Sequence, residues 1–165
     1  MRTMPIHRQV SAVVAAIVLF LISPVLVASQ PDNNRPIQIS FTKWVPAFPI
    51  MEGFTDGDVV GVYAGEVLQR QESVNPNLNG IVRLEAIYEV QAGDRTFTAL
   101  IRGGADALTG KAILDGVVLA GWRVGAPVHV EFDTIPATTG CAGAPPNTTC
   151  FQGTIQVGRA PKTRN

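Results

Sequence analysis

The chain has few charged side chains, and their signs cancel. Only 16% of its 165 residues are Asp, Glu, Lys or Arg, with 13 basic residues against 13 acidic ones. Removing Arg2 and Arg8 with the N-terminal segment described below leaves 11 basic residues against 13 acidic ones. Proteins that bind a nucleic-acid backbone need a concentrated positive field, and the sequence contains none. The composition therefore argues against nucleic-acid binding.

Residue types that serve metal sites and nucleophilic relays are also scarce. After residue 29 the chain holds one histidine, His129, and two serines, Ser40 and Ser73. A metal site needs several Cys or His ligands, and a Ser-His-Asp relay needs a serine in a sharp strand-to-helix turn. His129 alternates with two valines along a strand, so its imidazole is expected to point outward beside Glu131. We therefore predict no metal ion and no cofactor.

Helical periodicity is missing from residue 30 onward. The 16 glycines and 12 prolines are typical of a turn-rich β domain. Apolar and polar residues alternate in about seven or eight short segments, and the clearest pair is the hairpin 112–119 and 128–132 around the turn 121–127. Residues 45–58 are predicted to be an irregular connection that packs on the core as a plug or, alternatively, acts as a lid.

This pattern predicts an all-β fold, a small closed antiparallel β-barrel of about eight strands. Consecutive hairpins, internal glycines and one apolar face per strand favour closure, which removes sheet edges. The barrel domain is predicted at residues 37–157, after a linker at 30–36 and before a disordered tail at 158–165. The side chains expected inside are Val60, Val62, Val82, Leu84, Ala86, Tyr88, Val90, Phe97, Ala99, Ile101, Val128, Val130 and Phe132.

The N-terminus has the organisation of a signal peptide. Arg2 and Arg8 precede an apolar run over residues 10–21, which is followed by Pro24 and then by small residues at 27–29. Residues 1–29 are therefore predicted to direct secretion, to an extracellular or periplasmic location, and to be removed. The alternative is an uncleaved anchor, because residues 10–27 approach the ~20 apolar residues that span a bilayer. In that case the protein contacts a membrane only through this segment.

The two cysteines, Cys141 and Cys150, both lie beyond the predicted signal peptide. An even cysteine count in an oxidising compartment predicts a disulfide bond. A redox-active pair is the alternative, but it needs a close spacing such as C-x-x-C, which is absent. The bond is expected to constrain the glycine- and proline-containing loop 142–149.

Three segments carry a resemblance to a known family. They are GDVVGVYAGEV at 57–67, the stretch from FTALIRGG to HVEF at 97–132, and CFQGTIQV at 150–157. They resemble small secreted bacterial proteins, which in turn are similar to the dirigent and allene oxide cyclase barrel superfamily. The resemblance implies an eight-stranded antiparallel barrel with an apolar lumen, as in plant proteins that guide or cyclise small hydrophobic intermediates. The resemblance concerns the barrel architecture only, so no catalytic residue is inferred from it.

Four side chains are ligand-binding candidates: Glu66, Tyr88, Phe97 and Trp122. Tyr88 supplies a phenol among inward apolar residues, although a core tyrosine reaching the barrel mouth has the same pattern. Glu66 points inward if Gly65 forms a bulge, and a carboxylate in an apolar lumen can act as a general acid or base; otherwise it is solvated. Phe97 belongs to the inward set, and Trp122 either caps the barrel mouth or covers its end.

Three functions follow from this reading. The first is binding of a small hydrophobic ligand in the lumen, without catalysis. The second is an isomerase or cyclase activity that confines a reactive intermediate. The third is a structural or surface-interaction role, in which the outer residues matter. A homo-oligomer is compatible with each of the three.

Overall fold

The structure, a computed structural model, describes residues 35–161. Short 3₁₀ turns at Pro76–Leu78 and Gly93–Arg95 are its only helical elements, and no helix in this range is long and apolar enough to cross a membrane. The strands are β1 (Ile37–Ala47), β2 (Ile50–Gly57), β3 (Gly61–Glu72), β4 (Ile81–Gln91), β5 (Phe97–Asp106), β6 (Lys111–Gly121), β7 (Pro127–Ile135) and β8 (Cys150–Val157).

The eight strands form one closed antiparallel barrel in sequence order, with β1 paired to both β2 and β8. This confirms the predicted fold class. Because each strand reverses the chain, the connections β1–β2, β3–β4, β5–β6 and β7–β8 share one end of the barrel, which we call the upper end. The other three connections lie at the opposite, lower end with the start of β1 and the finish of β8.

The predicted signal segment, residues 1–29, lies outside the described residues, and so do positions 30–34 of the linker and 162–165 of the tail. Arg35 in the linker forms an exposed ion pair with Asp58 at 3.1 Å. In the tail, the Gly158 amide donates a hydrogen bond to the Pro127 carbonyl at 2.8 Å. The chain is therefore held to the lower end just beyond β8.

Most of the predicted inward set is buried or partly buried, but two of its members are exposed. Val60 and Val62 are 69% and 50% exposed, whereas Val59 and Tyr63 are buried. Both alternating sets in this segment are largely apolar, so hydrophobicity alone does not fix which set faces inward. A shift of one residue exchanges the two faces of a strand. The prediction selected the wrong face.

The predicted irregular connection at 45–58 is also wrong, because most of it is strand. β1 continues to Ala47, a two-residue turn with a cis Phe48–Pro49 peptide bond follows, and β2 begins at Ile50. Pro46 falls within the register shift between Trp44 and Ala47. Proline is tolerated at such an irregularity, so its presence did not indicate a loop.

β5 continues through two adjacent glycines, Gly103 and Gly104, as far as Asp106. Gly103 lies on the inner face, where a Cβ atom would stand 2.1 Å from the Ile113 carbonyl oxygen on β6. Real Cβ atoms do not approach backbone so closely, so this position requires glycine. Such close approaches between strands accompany the bends that close a small barrel.

Replacing Gly103 with alanine is expected to destabilise the barrel, because the neighbouring β6 backbone must move. We expect a loss of about 2–4 kcal/mol of unfolding free energy in urea denaturation. Gly104→Ala is the matched control: its Cβ would meet its nearest atom, Ile81 Cγ2, at 3.8 Å, which is ordinary contact. Equal losses for the two variants would contradict this account.

The predicted disulfide bond joins Cys141 to Cys150. It fixes the β7–β8 connection over the outer face of β1 and β2, where Trp44 and Phe54 pack with ring centroids 5.4 Å apart. Gly143 in this loop lies so close that an added Cβ would be 2.5 Å from the Phe54 ring. Trp44 is consequently only 5% exposed although it lies on the outer face.

The double variant Cys141→Ser/Cys150→Ser is expected to lose about 2–3 kcal/mol of unfolding free energy, since the bond limits the unfolded chain. The loop should also separate from Trp44, and the fluorescence emission of Trp44 should shift to longer wavelength. Thermal unfolding followed by circular dichroism, together with emission spectra, measures both effects. An unchanged emission maximum would show that the loop covers Trp44 without the bond.

Candidate ligand-binding site

An apolar cavity of about 370 Å³ occupies the upper half of the lumen and opens at the upper end. Its wall includes Val82, Leu84 and Ala86 of β4, and Phe48 of the β1–β2 turn lies at its rim. Small-molecule sites are concave, mainly apolar and about 300–1,000 Å³ in volume, with a few polar groups that orient the ligand. The cavity has the size and lining of such a site.

The main polar group of the cavity is Lys43. Ile39 and Phe41 point into the barrel along β1, and alternation places Lys43 on the same face. Lys43 is only 3% exposed, and its Nζ donates a hydrogen bond to the Tyr88 hydroxyl. None of the ion pairs within residues 35–161 includes Lys43. The amine is thus buried without a carboxylate partner.

Five aromatic rings, each from a different strand, surround the Lys43 amine. Nζ lies 4.3 Å from the ring centroids of both Tyr88 and Phe132, and the other three rings lie at 5.3–5.7 Å. The rings also contact each other, with Tyr63 and Tyr88 edge to face at 5.0 Å. We call this set the ring cluster: Phe41, Tyr63, Tyr88, Phe132 and Phe151.

Burial governs the ionisation of this group. Loss of hydration lowers the pKa of Lys43 well below its ordinary value. The ring faces oppose this effect, since each cation–π contact favours the ammonium by roughly 0.5–2 kcal/mol. Burial also raises the pKa of Tyr88 and that of Tyr63, whose hydroxyls are hydrogen-bonded to each other. The phenols carry no charge that could pair with an ammonium, and none of the ion pairs within residues 35–161 includes Lys43, so burial shifts the amine toward its neutral form.

Two charged residues line the cavity nearer its mouth. Arg70 is half-exposed and lies 3.4 Å from Glu72, with which it forms an ion pair. Asp106 accepts hydrogen bonds from the amides of Leu108 and Thr109, at 2.8 and 3.3 Å, and these interactions lower its pKa. Its carboxylate therefore stabilises the β5–β6 turn.

The four predicted ligand-binding residues do not lie together. Tyr88 lines the cavity, as alternation along β4 predicts. Glu66 is exposed on the outer face, because Gly65 points inward and the β3 irregularity falls later, between Val67 and Gln69. The bulge that was to turn Glu66 inward is therefore absent at Gly65, and this prediction is corrected.

Phe97 and Trp122 lie toward the lower end, away from the cavity. Phe97 is 1% exposed and belongs to the core, and it is not part of the cavity wall. Trp122 lies in the β6–β7 turn, where the guanidinium groups of Arg95 and Arg123 are 5.6 and 4.5 Å from its ring. It covers the end of the barrel, which was the alternative interpretation.

His129 points outward from β7, as predicted, and contacts Asp115 at 2.7 Å and Glu131 at 3.0 Å. Hydrogen bonds to Asp115 and then to Glu131 raise its pKa. The arrangement is an exposed charge cluster on the outer face. Within residues 35–161 no group of His, Cys, Asp and Glu side chains has the arrangement of a metal site.

Sequence reasoning missed Lys43 and Tyr63, although a signal for each was present. Lys43 follows Ile37, Ile39 and Phe41 at two-residue spacing. This two-residue alternation predicts that the Lys43 side chain points into the lumen. Tyr63 was missed because the wrong face of β3 was assigned to the interior.

No family model, curated protein or solved structure matches this chain. The resemblance to the dirigent and allene oxide cyclase superfamily therefore stays a prediction.

Replacing Lys43 with methionine is expected to raise the unfolding free energy at pH 7 by about 1–3 kcal/mol, because an amine is no longer buried. Burial lowers the folded-state pKa of Lys43, and between that pKa and the unfolded-state pKa the unfolded chain binds a proton that the folded state does not, so wild-type stability rises with pH across this window. The advantage of the variant should thus shrink between pH 7 and pH 9, by at most about 1.4 kcal/mol per pH unit.

Chemical denaturation at the two pH values measures this difference. Lys111→Met is the matched control, because the Lys111 side chain is 73% exposed and its ion pair with Asp133 contributes little. That variant should stay within about 0.5 kcal/mol of wild type at both pH values. A Lys43→Met variant that is less stable than wild type at pH 7 would show that the ring cluster holds the ammonium.

Proposed function

We propose that this protein binds one small hydrophobic ligand in the barrel lumen, with the polar end of the ligand at Lys43 and Tyr88. The observation that carries the proposal is the apolar cavity of about 370 Å³ that is open at one end and has Lys43 and Tyr88 at its inner end. A core needs neither an open cavity nor a buried amine. A ligand site needs a cavity of this kind and a few polar groups that orient the ligand.

The dimensions of the cavity limit the ligand class. A volume of about 370 Å³ is near the lower limit for ligand pockets, so it suits a compact ring compound or a short aliphatic chain. Burying about 300 Å² of apolar ligand surface contributes about 7 kcal/mol before the cost of association. We therefore expect dissociation constants in the micromolar range or weaker.

We further propose that the protein is secreted and belongs to the dirigent and allene oxide cyclase-like barrels. The disulfide bond between Cys141 and Cys150 is consistent with an oxidising compartment. The eight-stranded antiparallel architecture is compatible with that superfamily, but a shared barrel does not establish a shared reaction.

An isomerase or cyclase activity is the second candidate. Its support is the contact between the Lys43 amine and the Tyr88 hydroxyl at the cavity, because an amine and a phenol are groups that move protons. Glu66, which sequence reasoning offered for this role, is on the outside of the barrel. Any proton transfer in the lumen would thus depend on Lys43 and the phenols.

Filling the cavity is expected to abolish ligand binding without disturbing the outer surface. We propose Ala105→Phe, since Ala105 lies in the cavity wall near the upper end of β5. The fluorescent probe N-phenyl-1-naphthylamine should bind wild type with enhanced emission. It should bind the variant at least about tenfold more weakly, because a benzyl group occupies its space.

Val62→Phe is the matched control, because it adds an aromatic ring at a half-exposed position on the outer face of β3. Circular dichroism confirms that both variants are folded. Probe binding that is weakened equally by the two variants, or that is undetectable in wild type, contradicts the lumen site. Native mass spectrometry of freshly exported protein tests in addition for a ligand acquired from the host.

A further inference from the structure

We propose that Lys43 forms a reversible Schiff base with its ligand, so that the lumen selects small hydrophobic aldehydes and ketones. This inference rests on the proposed function and adds to it the functional group of the ligand and the atom that it meets. Lys43 lines the open cavity, and its Nζ is held against the Tyr88 hydroxyl and the ring cluster.

The position of the amine satisfies two opposing requirements of this chemistry. Lys43 lies four residues inside the upper end of β1, so it is within reach of a ligand that enters from that end. It is also only 3% exposed, which limits the hydration of the amine. Rings at 4.3 Å from Nζ on two strands restrict the orientation of the amine.

The surroundings of Lys43 favour the nucleophilic form. The titratable groups that share the cavity wall are Tyr88, Arg70 and Asp106, and Tyr63 contacts the amine through its ring. Asp106 is hydrogen-bonded to its own turn, and Lys43 is in none of the ion pairs that the described residues form. Burial lowers the pKa of Lys43, and a desolvated lysine in an apolar pocket is an activated nucleophile.

The reaction balances with groups already present and needs no oxidant or reductant. The lone pair of Nζ attacks the carbonyl carbon, and the carbonyl π electrons move to oxygen. A proton passes from nitrogen to that oxygen, and the Tyr88 hydroxyl is in position to relay it. The carbinolamine nitrogen then gives its second proton to the hydroxyl group, which leaves as water through the cavity mouth while the nitrogen lone pair forms the C=N bond. Hydrolysis reverses each step.

A carbonyl ligand fits this cavity better than a carboxylate ligand does. A carboxylate would require a buried ion pair, and the desolvation of both charges offsets much of their attraction. A carbonyl ligand is neutral, so its binding brings no second charge into the cavity. If the imine is subsequently protonated, the faces of the ring cluster stabilise the cation.

The test uses the full exported protein with trans-cinnamaldehyde and sodium cyanoborohydride at pH 7, which converts an imine to a stable secondary amine. Intact mass should show one adduct, and peptide mapping should place it on Lys43. Each unit by which the pKa is lowered raises the neutral fraction about tenfold, so labelling of Lys43 should exceed that of Lys111 by at least about tenfold.

Three variants and one analogue sharpen the result. Lys43→Met should lose the adduct, and Lys111→Met should keep it. Tyr88→Phe should slow labelling by about tenfold or more through loss of the proton relay. Cinnamyl alcohol, which keeps the frame of the aldehyde but lacks the carbonyl group, should displace N-phenyl-1-naphthylamine at least about tenfold less well than cinnamaldehyde does.

The outcomes separate this inference from the proposed function. Probe binding in the lumen with no adduct on Lys43, or with labelling spread evenly over the lysines, overturns the Schiff base and leaves ligand binding intact. Cinnamate binding more tightly than cinnamaldehyde, again without an adduct, has the same consequence and identifies an acid-binding site. Absence of both the adduct and probe binding overturns both proposals.

Discussion

The pairing of β1 with β8 is the constraint on which the rest of this structure depends. It converts a meander of eight strands into a barrel and removes both sheet edges. It also creates an inner surface that is largely shielded from bulk solvent. The ring cluster draws on five strands, and Lys43 on β1 faces Tyr88 on β4 across the lumen. In an open sheet these groups would separate, and the amine would be hydrated and charged.

Closure creates the lumen, and the distribution of small residues on the inner face determines where it is empty. Gly53 pairs with Lys43 and Tyr63, and Gly65 pairs with Met51 and Tyr88. A glycine beside a bulky side chain on the same face gives that side chain room to cross the barrel. Alternation of small and large residues is how narrow barrels fill their interior. The ring cluster therefore fills the middle of the lumen, and the upper half of the lumen stays open.

The sequence predicts the barrel well because its signals are redundant. Period-two alternation, hairpin turns and internal glycines all indicate the same topology, so an error in one segment does not change the fold. The site lacks that redundancy. The inward orientation of Lys43 follows from one strand, but its contact with Tyr88 depends on the register of the strands between them. Glu66 depends on a similarly local feature, because the location of a single irregularity in β3 determines whether its side chain faces the lumen or the outside.

A buried lysine without a carboxylate partner lowers the stability of a small barrel. The depth of Lys43 in the lumen explains which chemical properties the amine gains from this position. An amine placed nearer the mouth of the cavity would be hydrated and mainly protonated. Nearer the lower end, the packed side chains of Val59, Phe97 and Ala126 would separate it from any ligand. At the ring cluster the amine is dry, weakly basic and adjacent to empty space. Only an intermediate depth combines these three properties, and that depth is where the alternation of β1 places Lys43.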